Sequence, residues 1–149
     1  IDEILALEDI NLLSGITVGR VDFVGSYGLS RSSINDPEIT SRVEEIFLKA
    51  KDKGFKTGLG GGISVESIDN ILYFIDKSLI DKFETRKVVF SAGLDTSKAK
   101  EAILHAVLFE YLWLLSKRRY YHRIKAEDES RIPMIKSRME EHGFDAPDY

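Results

Sequence analysis

The sequence predicts an α/β fold, because short β-branched segments alternate with amphipathic helical segments over the first two thirds of the chain. Three strand-like segments each precede a helix-like segment in units of roughly 35 residues, as βαβ units do. The chain has 149 residues, 43% apolar and 31% charged, which is typical of a globular domain with its own core. Three units are too few for a closed eight-stranded barrel of about 250 residues. The pattern therefore fits either a small open sheet or the last part of a barrel.

The first unit opens on a short strand. Residues 2–7 have the pattern of a helix end, and the segment "GITVGRV" that follows is β-branched and bounded by Gly15 and Gly19. These features predict a strand. A loop containing glycines is expected from its end to Gly28.

The helix of the first unit is marked at both ends. Asp36 is the predicted N-cap and Pro37 suits the first helical position. The helix is predicted to run to Lys53, and Gly54 is the residue expected to end it. Its apolar residues recur at spacings of three and four, which predicts one buried face: Ile39, Val43, Ile46, Phe47 and Ala50.

The second and third units repeat this order. "FKTGLGGGIS" predicts a strand and a glycine loop, after which Ser64 caps a helix. "RKVVFSAG" predicts the third strand, and Asp95 or Thr96 caps a helix that begins near Ser97. Alternation of this kind predicts parallel strands.

The C-terminal region has a different character. A helix is predicted from near Ser97 through Lys125, with Pro133 breaking the pattern and a short helix over 134–142 ending at Gly143. A barrel helix does not require so long an apolar continuation. We therefore expect this surplus to pack against another subunit or back across the barrel.

Two regions follow from this division. Residues 1–112 are predicted to form the α/β domain, and residues 113–149 a helical extension. The extension is the expected contact of a homo-oligomer. Its run "KRRYYHRIK" suggests RNA or phosphate binding, or else a solvated helix end whose charges pair with the nearby "EDE".

Composition excludes several classes of protein. The net charge of −4 argues against a nucleic-acid partner. The absence of cysteine excludes disulfides, Cys–zinc sites and cysteine nucleophiles. No signal peptide is present and no apolar segment is long enough to span a bilayer, so we predict a cytoplasmic protein without a membrane partner. Because the chain starts at Ile1 in the middle of a helical pattern, we expect it to be a piece of a longer protein.

Asp22 is the first candidate site residue. In parallel α/β folds, function lies at the carboxyl ends of strands, and Asp22 follows the first strand closely enough to serve as a metal ligand. It could instead cap a turn or pair with Arg20 or Arg31. Glu84 and Arg86 precede the third predicted strand, so we expect them at the amino ends with structural roles.

The glycine loop is the second candidate. Gly60, Gly61, Gly62 and Ser64 would open a helix whose free amides attract phosphate or carboxylate. Alternatively, the glycines make room for packing or for a bend of the sheet. Asp95 fits a cap better than a catalyst, and the three histidines share no ligand spacing.

These motifs carry a family resemblance. "GITVGRVDFVGSYG" resembles the "GVFIGPADLS…G" signature of the metal-dependent pyruvate aldolase and citrate lyase family, through Gly19, Asp22 and Gly28. "SAGLDTSKAKEAI" is similar to its "VGVDTTLLARAA" turn through Gly93 and Asp95. The resemblance covers about residues 1–110 and implies that the three strands are the sixth to eighth of a (β/α)8 TIM barrel.

The resemblance also implies a site. Asp22 would bind a divalent metal, Mg²⁺ or Mn²⁺, together with a glutamate that falls before Ile1. The stretch Gly19, Arg20, Val21 and Asp22 would bind the substrate carboxylate through backbone amides. Arg20 replaces the family's usual proline and could add a charge near the substrate or pair with a carboxylate.

The implied function is that of a lyase. The intact protein would cleave or form a carbon–carbon bond next to a pyruvate-like 2-oxo acid through a metal-stabilised enolate, and the present chain alone would be inactive. A CoA-thioester lyase of the citryl or malyl type and a non-catalytic assembly module are the alternatives.

Overall fold

A four-stranded sheet organises the first 110 residues of the structure, a computed structural model that describes residues 1–145. The strands follow chain order as β1 (Gly15–Gly19), β2 (Lys56–Gly60), β3 (Lys82–Glu84) and β4 (Val89–Ser91). β1, β2 and β3 are parallel, whereas β4 is antiparallel to β3. The protein is therefore α/β, with an open mixed sheet.

The third predicted strand is only partly correct. β4 lies inside the predicted segment, but it forms a hairpin with β3, a strand that the sequence did not indicate. β3 was missed because Phe83 is its only apolar residue and charged residues flank it on both sides. Thr85 closes the hairpin, since its amide donates to the Val88 carbonyl at 2.9 Å and its hydroxyl accepts from the Val88 amide at 3.2 Å.

The main helix on the sheet is the predicted one. It follows two short elements, α1 (Asp2–Leu5) and α2 (Arg20–Ser26), and is numbered α3 (Pro37–Asp52). Asp36 occupies its N-cap position and Pro37 its first turn. Gly54 adopts a φ of +79°, as a helix-ending glycine does. Its buried residues lie on the predicted face: Ile39, Val43, Phe47 and Ala50.

α2 replaces the loop expected after β1. It begins at Arg20 immediately after the strand, so that Asp22 lies in its first turn. Its seven residues are too few to display a helical period, and Gly25 resembles a turn residue. Short 3₁₀ turns span Glu8–Leu12, Arg31–Asn35, Val65–Ser67 and Thr96–Lys98, and α4 covers Ile68–Asp76.

The core lies between the sheet and its helices. Val18, Leu59 and Phe83, one from each parallel strand, point to the same side and are buried. Phe47 of α3 and Phe74 of α4 meet edge to face there, with ring centroids 5.4 Å apart. Alternation along the strands therefore puts the apolar side chains on one face.

The last helix, α5, spans Ala99–Glu141 without interruption. Asp95, one of the two predicted caps, caps the 3₁₀ turn that precedes α5 by accepting from the Ser97 amide at 3.1 Å. The predicted break at Pro133 is wrong, because the proline lies inside the helix. The surrounding residues are exposed, so water can bind the carbonyl that loses its donor.

Contacts divide the chain into two units, Ile1–Glu110 and a second beginning at Tyr111. In the second unit, Lys125 pairs with Glu129 at 3.4 Å, so the basic run and the acidic residues after it do interact. No helix among residues 1–145 has the length and apolar character needed to cross a membrane.

Candidate functional site

A cavity of about 470 Å³ opens at the carboxyl ends of the parallel strands, within the first unit. Its walls come from the first turn of α2, the glycine loop after β2, the end of β3 and the hairpin turn. The lining residues are Val21, Asp22, Arg31, Gly61, Gly62, Ile63, Glu84, Thr85, Arg86 and Glu110. Volumes of this order suit a small-molecule ligand.

A somewhat larger cavity, of about 580 Å³, includes Ser14, Gly15, Lys56 and Asp81 near the amino ends of the strands. Active sites of parallel α/β folds are built from the loops at the opposite, carboxyl end. We therefore place the candidate site in the smaller cavity, which also contains Asp22.

Asp22 has an exposed carboxylate that no hydrogen bond or ion pair engages within residues 1–145. Its Oδ2 lies 3.5 Å from the position a Cβ would take on Gly19, so the carboxylate folds back toward the end of β1. Neither a turn cap nor an ion pair with Arg20 or Arg31 is formed. The remaining interpretation, a metal ligand, stays a prediction.

Arg20 is the side chain whose position differs most from expectation. It is 1% exposed, and its guanidinium donates to Asn35 Oδ1 at 2.7 Å, Ser67 Oγ at 3.0 Å and the carbonyls of Gly60 and Ile34 at 3.4 Å. None of these partners is a carboxylate. Burial lowers the pKa of Arg20 to about 10, so the group is still charged at neutral pH.

Arg20 therefore ties the two loops of the site together. Its side chain does not line the cavity, and the substrate contact predicted for it is left to its backbone amide. Val21 lines the cavity beside Asp22, and Gly19 ends β1 beneath them.

The glycine loop packs directly on the start of α2. A Cβ on Gly61 would lie 2.5 Å from the Arg20 nitrogen and 2.7 Å from the Val21 nitrogen, and the φ of Gly61 is +76°. Close packing against α2 therefore explains why a glycine is required at position 61. Room for packing was one of the two interpretations that the sequence left open. Gly61 and Gly62 line the cavity, whereas Gly60 and Ser64 do not. Anion binding by this loop remains a prediction.

Ser64 occupies the N-cap position before the Val65–Ser67 turn, but its side chain caps no amide. Its hydroxyl donates instead to the Glu66 carboxylate, which lowers the pKa of that carboxyl. The side chain of Ser67 lies closer to the site. It accepts from Arg20 and donates to the Gly62 carbonyl at 3.3 Å.

Glu84 corrects the sequence analysis. It was expected at the amino ends of the strands, yet it ends β3 at the carboxyl side and lines the cavity. Its Cγ lies 3.3 Å from where a Cβ on Gly60 would be, and Lys82 Nζ approaches its Oε2 at 3.4 Å. Glu84 was assigned to the wrong end of the sheet because β3 was not predicted. A residue that precedes a strand lies at its amino end, whereas a residue that ends a strand lies at its carboxyl end.

Three other charged residues complete the walls: Arg31, Arg86 and Glu110. Arg86, like Glu84, was expected at the amino ends of the strands and lies instead at this cavity. Arg86 Nε lies 3.9 Å from Glu110 Oε1, a loose ion pair. Arg31 has no partner within residues 1–145. Sequence patterns gave no signal for Arg31, because a charged residue in a loop is ordinary.

The donor set fits a metal only in part. Asp22, Glu84 and Glu110 share the cavity, but no group of three or more His, Asp or Glu side chains within residues 1–145 is arranged to hold a metal ion. Mg²⁺ commonly takes one or two protein carboxylates and fills its other positions with water and substrate oxygens. Asp22 is compatible with such a partial set.

Comparison of the chain with protein-family models, curated proteins and solved structures finds no match. The likeness of "GITVGRVDFVGSYG" to the aldolase signature therefore stays a resemblance of motifs.

Proposed function

We propose that the intact protein is a divalent-metal-dependent carbon–carbon lyase acting on a pyruvate-like 2-oxo acid. The observation that carries this proposal is Asp22, an unpaired carboxylate at the carboxyl end of β1 that lines a cavity of suitable size. The motif around it resembles the metal-dependent pyruvate aldolases, in which this position binds the metal.

The same proposal extends to the architecture. β1 and β2 would be the sixth and seventh strands of a (β/α)8 barrel, and their parallel pairing supports this. The resemblance makes "RKVVFSAG" the eighth strand, but β4, which lies in that segment, pairs antiparallel with β3 and does not add support. Within residues 1–145, β1 pairs only with β2. The other edge of β1 is where the fifth strand of the barrel would pair. Sequences of this family place the second metal carboxylate on that strand.

Asp22 would hold Mg²⁺ or Mn²⁺, with the Glu84 carboxylate in the same cavity. When bound, the metal would act as a Lewis acid on the keto oxygen of the substrate. The backbone amides of Gly19 to Asp22 would orient the substrate carboxylate. Because the resemblance assigns the other ligand to a segment before Ile1, the present chain is expected to bind metal weakly and to lack turnover.

Paramagnetic Mn²⁺ tests this site in the 149-residue chain. Bound Mn²⁺ should broaden the amide resonances of Gly61 and Gly62, and Asp22→Asn should remove the broadening. Asp69→Asn, which deletes an exposed carboxylate on α4, is the matched control and should leave the broadening intact. Equal broadening in the Asp22 variant would remove Asp22 from the metal site.

Turnover tests the reaction in the intact protein. Pyruvate release from a 4-hydroxy-2-oxo acid should require a divalent metal and should fall by at least about a hundredfold in Asp22→Ala. Full activity of that variant at saturating Mg²⁺ would contradict the proposed role.

An assembly module is the second candidate, and the surface of α5 favours it. Large apolar side chains are exposed along this helix: Leu104, Val107, Leu108, Phe109, Tyr111, Leu112, Trp113 and Leu114. Apolar surface of this extent commonly marks a contact between proteins. A homo-oligomer formed through α5 is compatible with either function.

A further inference from the structure

Two unpaired charges of opposite sign line the same cavity. Asp22 and Arg31 both contribute to its wall, yet they form no ion pair with each other, and neither has another partner within residues 1–145. The other charged residues of the wall do have partners, since Arg86 approaches Glu110 and Glu84 approaches Lys82. The cavity therefore offers one available cation and one available anion.

The backbone turn that carries Arg31 is anchored by the residues around it. Arg31 begins the 3₁₀ turn Arg31–Asn35. The far end of that turn is held by the buried Arg20, which donates to the Ile34 carbonyl and to Asn35 Oδ1. Arg20 also donates to the Gly60 carbonyl, so the same residue anchors both the turn and the glycine loop.

The Arg31 guanidinium lies next to Gly62 of the glycine loop. One of its terminal nitrogens, Nη2, lies 3.9 Å from the position that a Cβ would take on Gly62. A guanidinium with free N–H groups recognises carboxylates in a bidentate manner. The unpaired Arg31 guanidinium therefore lines the same cavity as the Asp22 carboxylate, so one ligand could contact both.

We propose that Arg31 binds a carboxylate of the ligand, and that the substrate is a 2-oxo acid carrying a second carboxylate. The assignment of this substrate class rests on the proposed function, because the first carboxylate and the keto oxygen would lie at the Asp22 end. Arg31 would then select dicarboxylic over monocarboxylic 2-oxo acids.

Two probes that differ mainly in the second carboxylate test this selection. The 149-residue chain is titrated in the presence of Mg²⁺ with 2-oxoglutarate and, separately, with 2-oxobutyrate, and the amide shifts of Gly61 and Gly62 are followed. 2-Oxoglutarate should bind about tenfold or more tightly than 2-oxobutyrate, as a charge-assisted pair provides. Arg31→Gln should abolish this difference.

Arg119→Gln is the matched control, because it removes the same charge from an exposed position on α5 and should keep the difference. Arg31→Lys should retain part of it. Equal affinity of the two acids for the unchanged chain, no saturable shift with either, or undiminished selectivity in Arg31→Gln would each overturn the proposal.

Asp22→Asn separates this inference from the proposed function. If the variant weakens both acids equally and selectivity persists, both stand. If it weakens neither while Arg31→Gln still removes selectivity, the metal-dependent function fails and the anion site of Arg31 remains. If it weakens both but the unchanged chain has no selectivity, only the role of Arg31 is lost.

Discussion

Arg20 and Arg31 carry the same charge in opposite surroundings. Arg20 is buried and makes hydrogen bonds to four oxygen acceptors from three segments, whereas Arg31 is exposed and without a partner. The first is therefore a structural residue and the second is available to a ligand.

The two arginines should contribute very differently to the free energy of unfolding. Arg20→Met removes the donors of several buried oxygens, so it should lower the free energy of unfolding by roughly 3 kcal/mol. Arg31→Gln should change it by no more than about 0.5 kcal/mol. Urea denaturation followed by circular dichroism measures both, and similar losses in the two variants would contradict the assignment.

Gly61 and Gly25 form a second pair at the residue scale. Gly61→Ala should cost roughly 2 kcal/mol or more, because its Cβ would clash with the backbone of α2 and its φ is positive. Gly25 lies in α2 with open space around it, so Gly25→Ala should be neutral or stabilising by about 0.5 kcal/mol.

Thermal or urea unfolding of both glycine variants provides the measurement. If Gly61→Ala were as stable as Gly25→Ala, the close approach of the glycine loop to α2 would be wrong.

At the residue scale, sequence patterns located Asp22 but not Arg31 or Glu84. Asp22 follows a recognisable strand, so its place at a carboxyl end could be inferred. Glu84 ends a strand with one apolar residue, which carries too little periodicity to be identified. The burial of Arg20 depends on acceptors from Asn35, Gly60 and Ser67, and no local pattern reveals such distant partners.

The Asp81 carboxylate links β2 to α3 at the amino ends of the strands. Its Oδ2 accepts from the Thr57 amide of β2 at 2.6 Å and lies 2.7 Å from Lys51 Nζ of α3. Burial acts to raise the pKa of Asp81, but the bonds from Lys51 and Thr57 outweigh it and leave the pKa below the ordinary value of 3.8. The carboxylate form is therefore favoured in the folded protein.

The sign of the resulting pH dependence follows from linkage. A carboxyl with a lowered folded pKa contributes stability above its unfolded pKa, and this contribution is lost as the pH falls through the folded value. Between about pH 6 and about pH 3, the urea midpoint should therefore fall more for the wild type than for Asp81→Asn.

Asp69→Asn controls for loss of a charge alone and should follow the wild type. Parallel pH profiles for the wild type and Asp81→Asn would exclude a stabilising role for the Asp81 contacts.

Elements with strong local signals were predicted well. Asp36, Pro37 and Gly54 mark α3 by capping chemistry, and the structure confirms its bounds to within a residue. The errors fall on α2 and β3, which are short, and on Pro133. An exposed helix tolerates the proline because solvent replaces the lost bond, a circumstance that the local sequence does not encode.

For the whole molecule, the α/β class is confirmed, and the mixed sheet corrects the expectation of parallel strands throughout. The order of strands along the chain favours parallel pairing, but the direction of β4 depends on a tight turn at Thr85 that sequence periodicity did not reveal. A (β/α)8 barrel needs more strands than the four described, so the assignment of these strands to a barrel remains a proposal.

Self-association is the prediction that belongs to this scale. If α5 joins copies of the chain, light scattering should give a mass above that of the monomer that rises with concentration. Leu112→Lys should return the protein toward the monomer, since it places a charge on an apolar surface.

Ser130→Lys adds the same charge at an exposed polar position of the same helix, beyond the apolar residues 104–114, and should leave the mass unchanged. A monomer at every concentration would exclude α5 as a self-association surface.

The parallel register also bears on how the chain folds. The hairpin of β3 and β4 closes through a short turn, whereas Gly15 of β1 meets Lys56 of β2 only after an intervening helix has been placed. Contacts between distant segments close slowly because chain entropy must be lost before they form. We expect the hairpin to form early in refolding and β1 to dock late, so that the edge carrying Asp22 is the last part of the sheet to assemble.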